Sequence, residues 1–290
     1  MVFDNLTAKK ITRLVSKHIH YIYVDLEKKA ASKKKKELVN IEHVVKDNIH
    51  PSKIKYLKSN DVTVNAIENF LNSYYSNDPR GIGGKKTLII GSGNIGSKLA
   101  LRLVESGSEV FISRRNNKKS KIISDAINLI KPKFTKAICK NINHDSIKLD
   151  KYDVIIGCAN TIYKTSKKNY QNIKKDLLTI DVGKGVFDKN FLNYLAKKKI
   201  IVYRINIDLE ISSHIDLTLK KKLFFNEKLF GYKKNFKLVK QGVLGSNGDI
   251  IVDNVNKPTQ ILGVCNKDGE FKKISYKKML ILRSKIIKNI

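Results

Sequence analysis

The chain is short of the residues that staple or interrupt a fold. Only 3 cysteines and 4 prolines occur in 290 residues. Cys139, Cys158 and Cys265 are too few for a disulfide scaffold and stand at no metal-ligand spacing, so no metal site is expected and a reducing, cytoplasmic setting is. Long apolar runs are missing as well. Pieces such as Thr87–Ile90 and Val154–Ile156 fall far short of the ~20 residues that a membrane-crossing helix needs. The first 30 residues carry Asp4, Lys9, Lys10, Arg13 and Lys17 in place of a leader's apolar core, so export is not expected. Acidic residues are also scarce, 26 against 58 Lys and Arg, for a formal net charge of +32.

A charge of that size can hold phosphate backbones nonspecifically. The basic residues, however, are 51 lysines and only 7 arginines, spread over nearly every segment. Lys, Ile and Asn make up about two-fifths of the chain and share codons rich in A and T, which traces the charge to base composition. Arginine, whose fork matches phosphate bidentately, is the rarer cation here, which argues against a dedicated nucleic-acid role. The run Lys33–Lys36, beside Lys28 and Lys29, reads as a solvated face. With 41% hydrophobic residues the chain is too apolar for a disordered one. The expected partners are a small-molecule substrate and a second copy in a homodimer, with neither nucleic acid nor membrane.

Three stretches separate by pattern. In residues 1–84, helices are expected near Thr7–Ser16, Glu37–Val45 and Val62–Tyr75, with a strand at His20–Leu26. The turn-rich Ser76–Gly81 and the pair Gly83-Gly84 close this part as a linker. Residues 85–205 then alternate strand and helix. Strands are expected at Thr87–Ile90, Glu109–Ser113, Lys136–Cys139, Val154–Cys158, Leu178–Val182 and Ile200–Tyr203. Helices are expected at Ile95–Ser106, Lys119–Ile130, Lys168–Lys175 and Lys189–Lys197. Short apolar strands alternating with helices imply an α/β fold with a doubly wound parallel (Rossmann) sheet. Residues 206–290 read as an extension completing a cleft. It contains a strand at Asp249–Asp253, a hairpin of Gln260–Cys265 and Glu270–Ile274, and a helix at Tyr276–Ile287. The segment Gly245–Asp253 reads equally as a lid or as a turn into its strand.

Between the first strand and first helix of the alternating part stands Gly91-Ser92-Gly93-Asn94-Ile95-Gly96, a G-x-G-x-x-G in its required context. Gly91 permits the tight turn, Gly93 lets the backbone approach a pyrophosphate, and Gly96 lets helix and strand pack closely. The helix start adds free N–H groups and a positive dipole end. The second strand ends in Ser113-Arg114-Arg115-Asn116 without the carboxylate that an NAD site places about 20 residues past the motif. Two guanidiniums there match a ribose 2′-phosphate, so NADP is the expected cofactor.

The segment Thr87–Arg115, together with Asp153-Val154-Ile155-Ile156-Gly157 and Thr179-Ile180-Asp181-Val182-Gly183, resembles the NADP-binding half of the amino-acid-dehydrogenase-like superfamily. That group includes shikimate dehydrogenases, glutamyl-tRNA reductases and methylenetetrahydrofolate dehydrogenases. Ser113-Arg114-Arg115 stands where shikimate dehydrogenases show Asn-Arg-Thr, and Ile180-Asp181-Val182-Gly183 is similar to the Asp-Val-Gly of the folate enzymes. The likeness covers about 120 of the 290 residues and selects no single family. It implies an N-terminal catalytic α/β domain, a cleft at the domain junction, and a C-terminal helix packing back on the first domain. Domains at 1–84, 85–205 and 206–290 follow.

Two loops face the nicotinamide end in such a sheet: Cys158-Ala159-Asn160-Thr161 and Gly183-Lys184-Gly185. Asn160 and Thr161 can hydrogen-bond ribose or carboxamide, Asp181 is expected to anchor its loop, and Lys184 can donate to a substrate carbonyl or carboxylate. Hydride transfer to C=O or C=N needs a proton donor beside the heteroatom. Several superfamily members use a Lys with an Asp from the first domain, and by that resemblance Lys58 and Asp61 are the catalytic pair. Asp61 also reads as a helix N-cap. The histidines couple to no nucleophile. The chain therefore reads as an NADP-dependent oxidoreductase acting on a small acidic metabolite. Its rivals are a catalytically inactive NAD(P)-binding sensor or scaffold, and a reductase of charged tRNA.

Overall fold

In the computed structural model, which describes residues 4–27, 30–31, 38–183 and 185–287, the chain starts on a capped helix. Asp4 Oδ1 accepts the Thr7 N–H at 2.8 Å, and α1 runs Asn5–Val15. Then come β1 (Ile22–Asp25), the two-residue strands β2 (Ala30–Ala31) and β3 (Leu38–Val39), and α2 (Ile41–Asn48). The strand β4 (Ile54–Leu57) pairs in parallel with β1. Val24, Val45, Ile49 and Ile54 form a small core of their own here. The helix expected at Glu37–Val45 begins later because Asn40 is its cap, accepting from the His43 N–H.

Helix α3 (Ser59–Tyr74) also begins elsewhere than the sequence implies. Lys58, not Asp61, occupies the N-cap position and makes no side-chain cap bond. The free N–H groups are taken from outside the helix: Ser59 N–H donates to Asp25 Oδ1 (3.3 Å) and Asn60 N–H to Glu27 Oε2 (2.7 Å). Two carboxylates from the end of β1 thus complete the helix start and meet its positive dipole end. Asp61 falls in the first turn and serves no N-cap.

The alternating part follows as β5 (Lys86–Ile90), α4 (Asn94–Glu105), β6 (Glu109–Ser113), α5 (Asn117–Ile130), β7 (Cys139–Asn141), β8 (Val154–Gly157), β9 (Leu178–Asp181), α6 (Lys189–Lys197) and β10 (Val202–Tyr203). The strands form one parallel sheet in the order β7-β6-β5-β8-β9-β10. Counted in its own sequence this is 3-2-1-4-5-6, the doubly wound Rossmann order, whose reversal point lies between β5 and β8. Alternate residues bury on opposite faces. Ile89, Ile112, Ile156 and Ile180 pack with Val64, Ile67 and Leu71 of α3 and Leu99 and Leu103 of α4. Leu88, Ile90 and Ile155 pack with Phe191 and Leu195 of α6.

Two elements depart from expectation here. The third strand lies at Cys139–Asn141 rather than Lys136–Cys139. Lys131 Nζ draws in the carbonyls of Thr135 and Ala137, and Asn128 brackets the Cys139 backbone, so pairing to β6 begins only at Cys139. Lys168–Lys175 holds only the single turn Lys167–Asn169. Its buried anchor Tyr170 packs on Phe191 and Tyr194, and the Tyr194 hydroxyl claims the Gln171 carbonyl that a helix would use.

The chain divides into two compact units, residues 1–212 and 213–290, with α7 (Asp208–Asn226) running from one into the other. The second contains β11 (Phe230–Lys233), β12 (Phe236–Lys240), β13 (Ile250–Val252), β14 (Ile261–Cys265), β15 (Phe271–Lys272) and α8 (Tyr276–Ile286). These strands form a mixed sheet in sequence order, in which only β12 and β13 run parallel. Leu282 and Ile286 of α8 close one face over Leu238, Ile250, Val252 and Ile261. The expected hairpin and final helix are present, inside a larger sheet than foreseen. Residues 245–249 form the turn into β13, with Ser246 N–H donating to Asp249 Oδ2 and Gly248 N–H to the Cys265 carbonyl.

Candidate functional site

At the carboxyl ends of the strands lies a cleft of about 340 Å³. Its wall is built first by the loop after β5. Gly91 has φ +105°, a conformation that disfavours a side chain, and a Cβ there would stand 2.6 Å from the Ala159 nitrogen. Gly91 N–H donates to the Ser113 carbonyl, which ties this loop to the end of β6. A Cβ on Gly96 would come within 2.1 Å of the Gly91 oxygen, so α4 can leave the loop this closely only without one. Gly93 differs: nothing lies within 4 Å of its would-be Cβ, and its backbone is ordinary extended chain. As N-cap of α4 it carries no side-chain cap, and no acidic residue stands in the helix's first turn. The N–H groups of that turn, Asn94 and Ile95 among them, leave a positive end for an anion.

On the other side of the cleft Arg114 is half-buried and its Nη1 donates to the Ser92 carbonyl at 3.4 Å, while Arg115 is exposed. Both line the cleft with Ser92 and Asn116, and the lining residues include no carboxylate. Ser113, fully buried, lies behind them against His144, with Oγ and Nδ1 3.1 Å apart. His144 stands at the start of the short turn after β7 and also lines the cleft, as does Tyr163. Sequence reading missed both. Ending the third strand at Cys139, two residues short of Asn141, put His144 well beyond the sheet's carboxyl edge, and the edge position was its one signal.

Cys158, Ala159, Asn160 and Thr161, after β8, complete the wall, with Asn160 and Thr161 exposed toward solvent. Burial pushes the Cys158 thiol up to about 12, which keeps it protonated and unreactive. The loop after β9 locks against this one. A Cβ on Gly183 would stand 2.2 Å from the Ala159 oxygen. Asp181 Oδ2 and Oδ1 accept from the Gly185 and Val186 N–H groups at 2.7 and 3.2 Å, so Asp181 anchors its loop as expected. Lys184 lies outside the described residues.

Asp61 turns to a partner other than Lys58. Asp61 Oδ1 is paired with Lys98 Nζ of α4 at 2.5 Å, and Lys98 reaches Glu27 Oε1 at 3.4 Å. The Asp61 carboxylate, chiefly, raises the Lys98 ammonium above its ordinary value. Neither Lys58 nor Asp61 lines the cleft beside the glycine loop. Of the cofactor residues expected from the sequence, Gly91, Ser92, Gly93, Arg114, Arg115, Asn160 and Thr161 line this cleft, whereas Asn94, Ile95, Gly96, Ser113 and Gly183 stand outside its lining. Among the described residues no group of three or more His, Cys, Asp or Glu is placed to hold a metal ion, and no helix is long and apolar enough to cross a membrane.

Residues 86–185 match a family model described as NADP oxidoreductase, coenzyme F420-dependent. The match falls on the Rossmann domain, from β5 to the loop after β9. Curated relatives include the 3-oxoacyl-[acyl-carrier-protein] reductases of Rickettsia prowazekii (strain Madrid E) and Rickettsia typhi, each 33% identical over 148 residues. Each match covers 46% of this chain, and the chain spans only 56% of those relatives' length. Similar solved structures include the dipicolinate synthase A chain of Bacillus subtilis, with 15% identity, TM-score 0.41, and 64% of this chain and 63% of that one covered. Another is the L-tryptophan dehydrogenase of Nostoc punctiforme, with 14% identity, TM-score 0.44, and 69% and 54% covered.

Proposed function

We propose that this protein is an NADP-dependent oxidoreductase that moves a hydride between the nicotinamide and a C=O or C=N of a small, acidic metabolite. The observation that carries the reading is one cleft in which an open glycine turn and an uncapped helix start face two arginines with no carboxylate on the wall. Gly91, Ser92, Gly93, Asn94, Ile95 and Gly96 would hold the pyrophosphate. Arg114 and Arg115 would take the ribose 2′-phosphate, and Asn160, Thr161 and Gly183 would border the nicotinamide half. The cofactor supplies the hydride; the protein supplies orientation and a proton donor, for which Lys58 and Lys184 are our candidates. On this reading residues 1–84 supply the substrate side and 85–205 the cofactor domain, in a cytoplasmic enzyme.

The test is cofactor preference. NADP(H) should bind at least about tenfold more tightly than NAD(H), since charge-assisted bonds to the phosphate are the stronger class. Arg114→Asp combined with Arg115→Ser should erase the difference. Equal affinities for the two nucleotides in the wild-type protein, measured by calorimetry, would remove NADP from the reading.

A further inference from the structure

His144 is held in a way its neighbours in the cleft are not. Asn143 Oδ1 accepts the Asp145 N–H at 3.2 Å and starts the turn His144–Ser146 directly behind β7. The imidazole then sits between Ser113 Oγ, 3.1 Å from Nδ1, and the Tyr163 ring, met edge-on at 4.9 Å between centroids. Ser113 and Tyr163 are both buried, so the ring is fixed from two sides while it still lines the cleft beside Arg114 and Arg115. The charged groups around it are Arg115 and Arg114 from the end of β6 and Asp145 on its own turn; Tyr163 faces it from the loop after β8. Burial pushes the imidazole below the ordinary histidine value; Asp145 opposes the shift and Arg115 adds to it. In the free protein these surroundings favour the neutral imidazole.

We infer that His144 is a third, proton-linked reader of the ribose 2′-phosphate, charged when NADP(H) is bound and neutral when the site is empty or holds NAD(H). The inference rests on the NADP reading above. A phosphate monoester is dianionic above its second pKa of about 6, so in this cleft it offers the counter-charge that the free site lacks. Binding of the phosphorylated cofactor then takes up a proton, and NADP(H) affinity falls as pH rises through the bound-state pKa of His144. NAD(H), which brings no 2′-phosphate, feels no such slope.

The experiment is calorimetric titration of the full chain with NADP+ and with NAD+ between pH 6.5 and 8.5, in two buffers of different ionisation enthalpy. It is run on wild type, His144→Asn and His144→Phe; the phenylalanine keeps a ring against Tyr163 but cannot titrate. In wild type, NADP+ affinity should weaken by about tenfold across the range, as one linked proton allows. Its binding enthalpy should depend on the buffer, and NAD+ should show neither effect. Both variants should lose the slope and the buffer dependence while still preferring NADP+ through the arginines. Selective NADP+ binding with no proton uptake in wild type, or a slope that survives in either variant, overturns the role of His144 and leaves the NADP reading standing. Failure of wild type to bind either nucleotide overturns both.

Discussion

At Gly96 the Cβ of any other residue would press on the Gly91 carbonyl, so Gly96→Val should force α4 away from β5. Overpacking of this kind costs about 1–3 kcal/mol, and thermal unfolding monitored by circular dichroism should register it as a lower Tm. Gly93→Val meets no neighbour. It should leave Tm nearly unchanged and abolish nucleotide binding, because the two methyls occupy the approach to the pyrophosphate. A Gly93→Val protein that binds NADP+ normally would place the nucleotide elsewhere. The glycine turn and the two arginines were legible in the sequence because each answers a local demand of backbone conformation or phosphate charge. The Asp61–Lys98 pair was not, since 37 residues separate partners that only the packing of α3 on α4 brings together. His144 was hidden for a related reason: its meaning depends on where β7 ends, and side chains of Asn128 and Lys131 decide that.

Between strands, Asp153 fastens the start of β8 to the start of β5. Its N–H donates to the Lys86 carbonyl, its Oδ2 accepts the Lys86 N–H at 2.7 Å, and its Oδ1 pairs with Lys174 at 2.5 Å. Burial pushes the carboxyl up, but Lys174 and the Lys86 N–H outweigh it and hold the group below its ordinary 3.8. A carboxyl depressed in the folded state stabilises fully above its unfolded value and loses that contribution as pH falls through the folded one. Asp153→Ala should therefore cost about 1.5–3 kcal/mol at neutral pH, as charged hydrogen bonds do. The difference from wild type should shrink in acid, and urea titrations at several pH values would show it; a difference constant with pH would deny the linkage. The central strands were readable because continuous apolar runs such as Val154-Ile155-Ile156 bury on both faces. Helix α7 was not. Its Leu209, Ile211, Ile215, Leu217 and Leu219 spread around the helix rather than along one stripe, and Leu209 and Leu217 are exposed. The pair β11 and β12 escaped because Phe230–Lys240 alternates with lysines and turns at Lys234, a non-glycine residue with φ +54°.

Across the whole molecule a charge of +32 surrounds the cleft with a positive field. Such a field is screened within about 10 Å at 0.1 M salt, whereas contacts inside a cleft are screened less. Raising salt should weaken NADP+ binding more than NAD+ binding, because the former brings two further charges, yet the preference should persist where Arg114 and Arg115 act at contact distance. Fluorescence titrations at low and high salt would show it; a preference that vanishes with salt would assign selectivity to the general field instead. The fold compels glycine at 91 and at 96 through its own geometry, so any descendant that keeps the sheet keeps them. Position 93 is under no such compulsion. In a lineage that stopped using the nucleotide it would be free to drift first, and its glycine is thus the one letter of the motif that only an occupant, rather than the architecture, has reason to preserve.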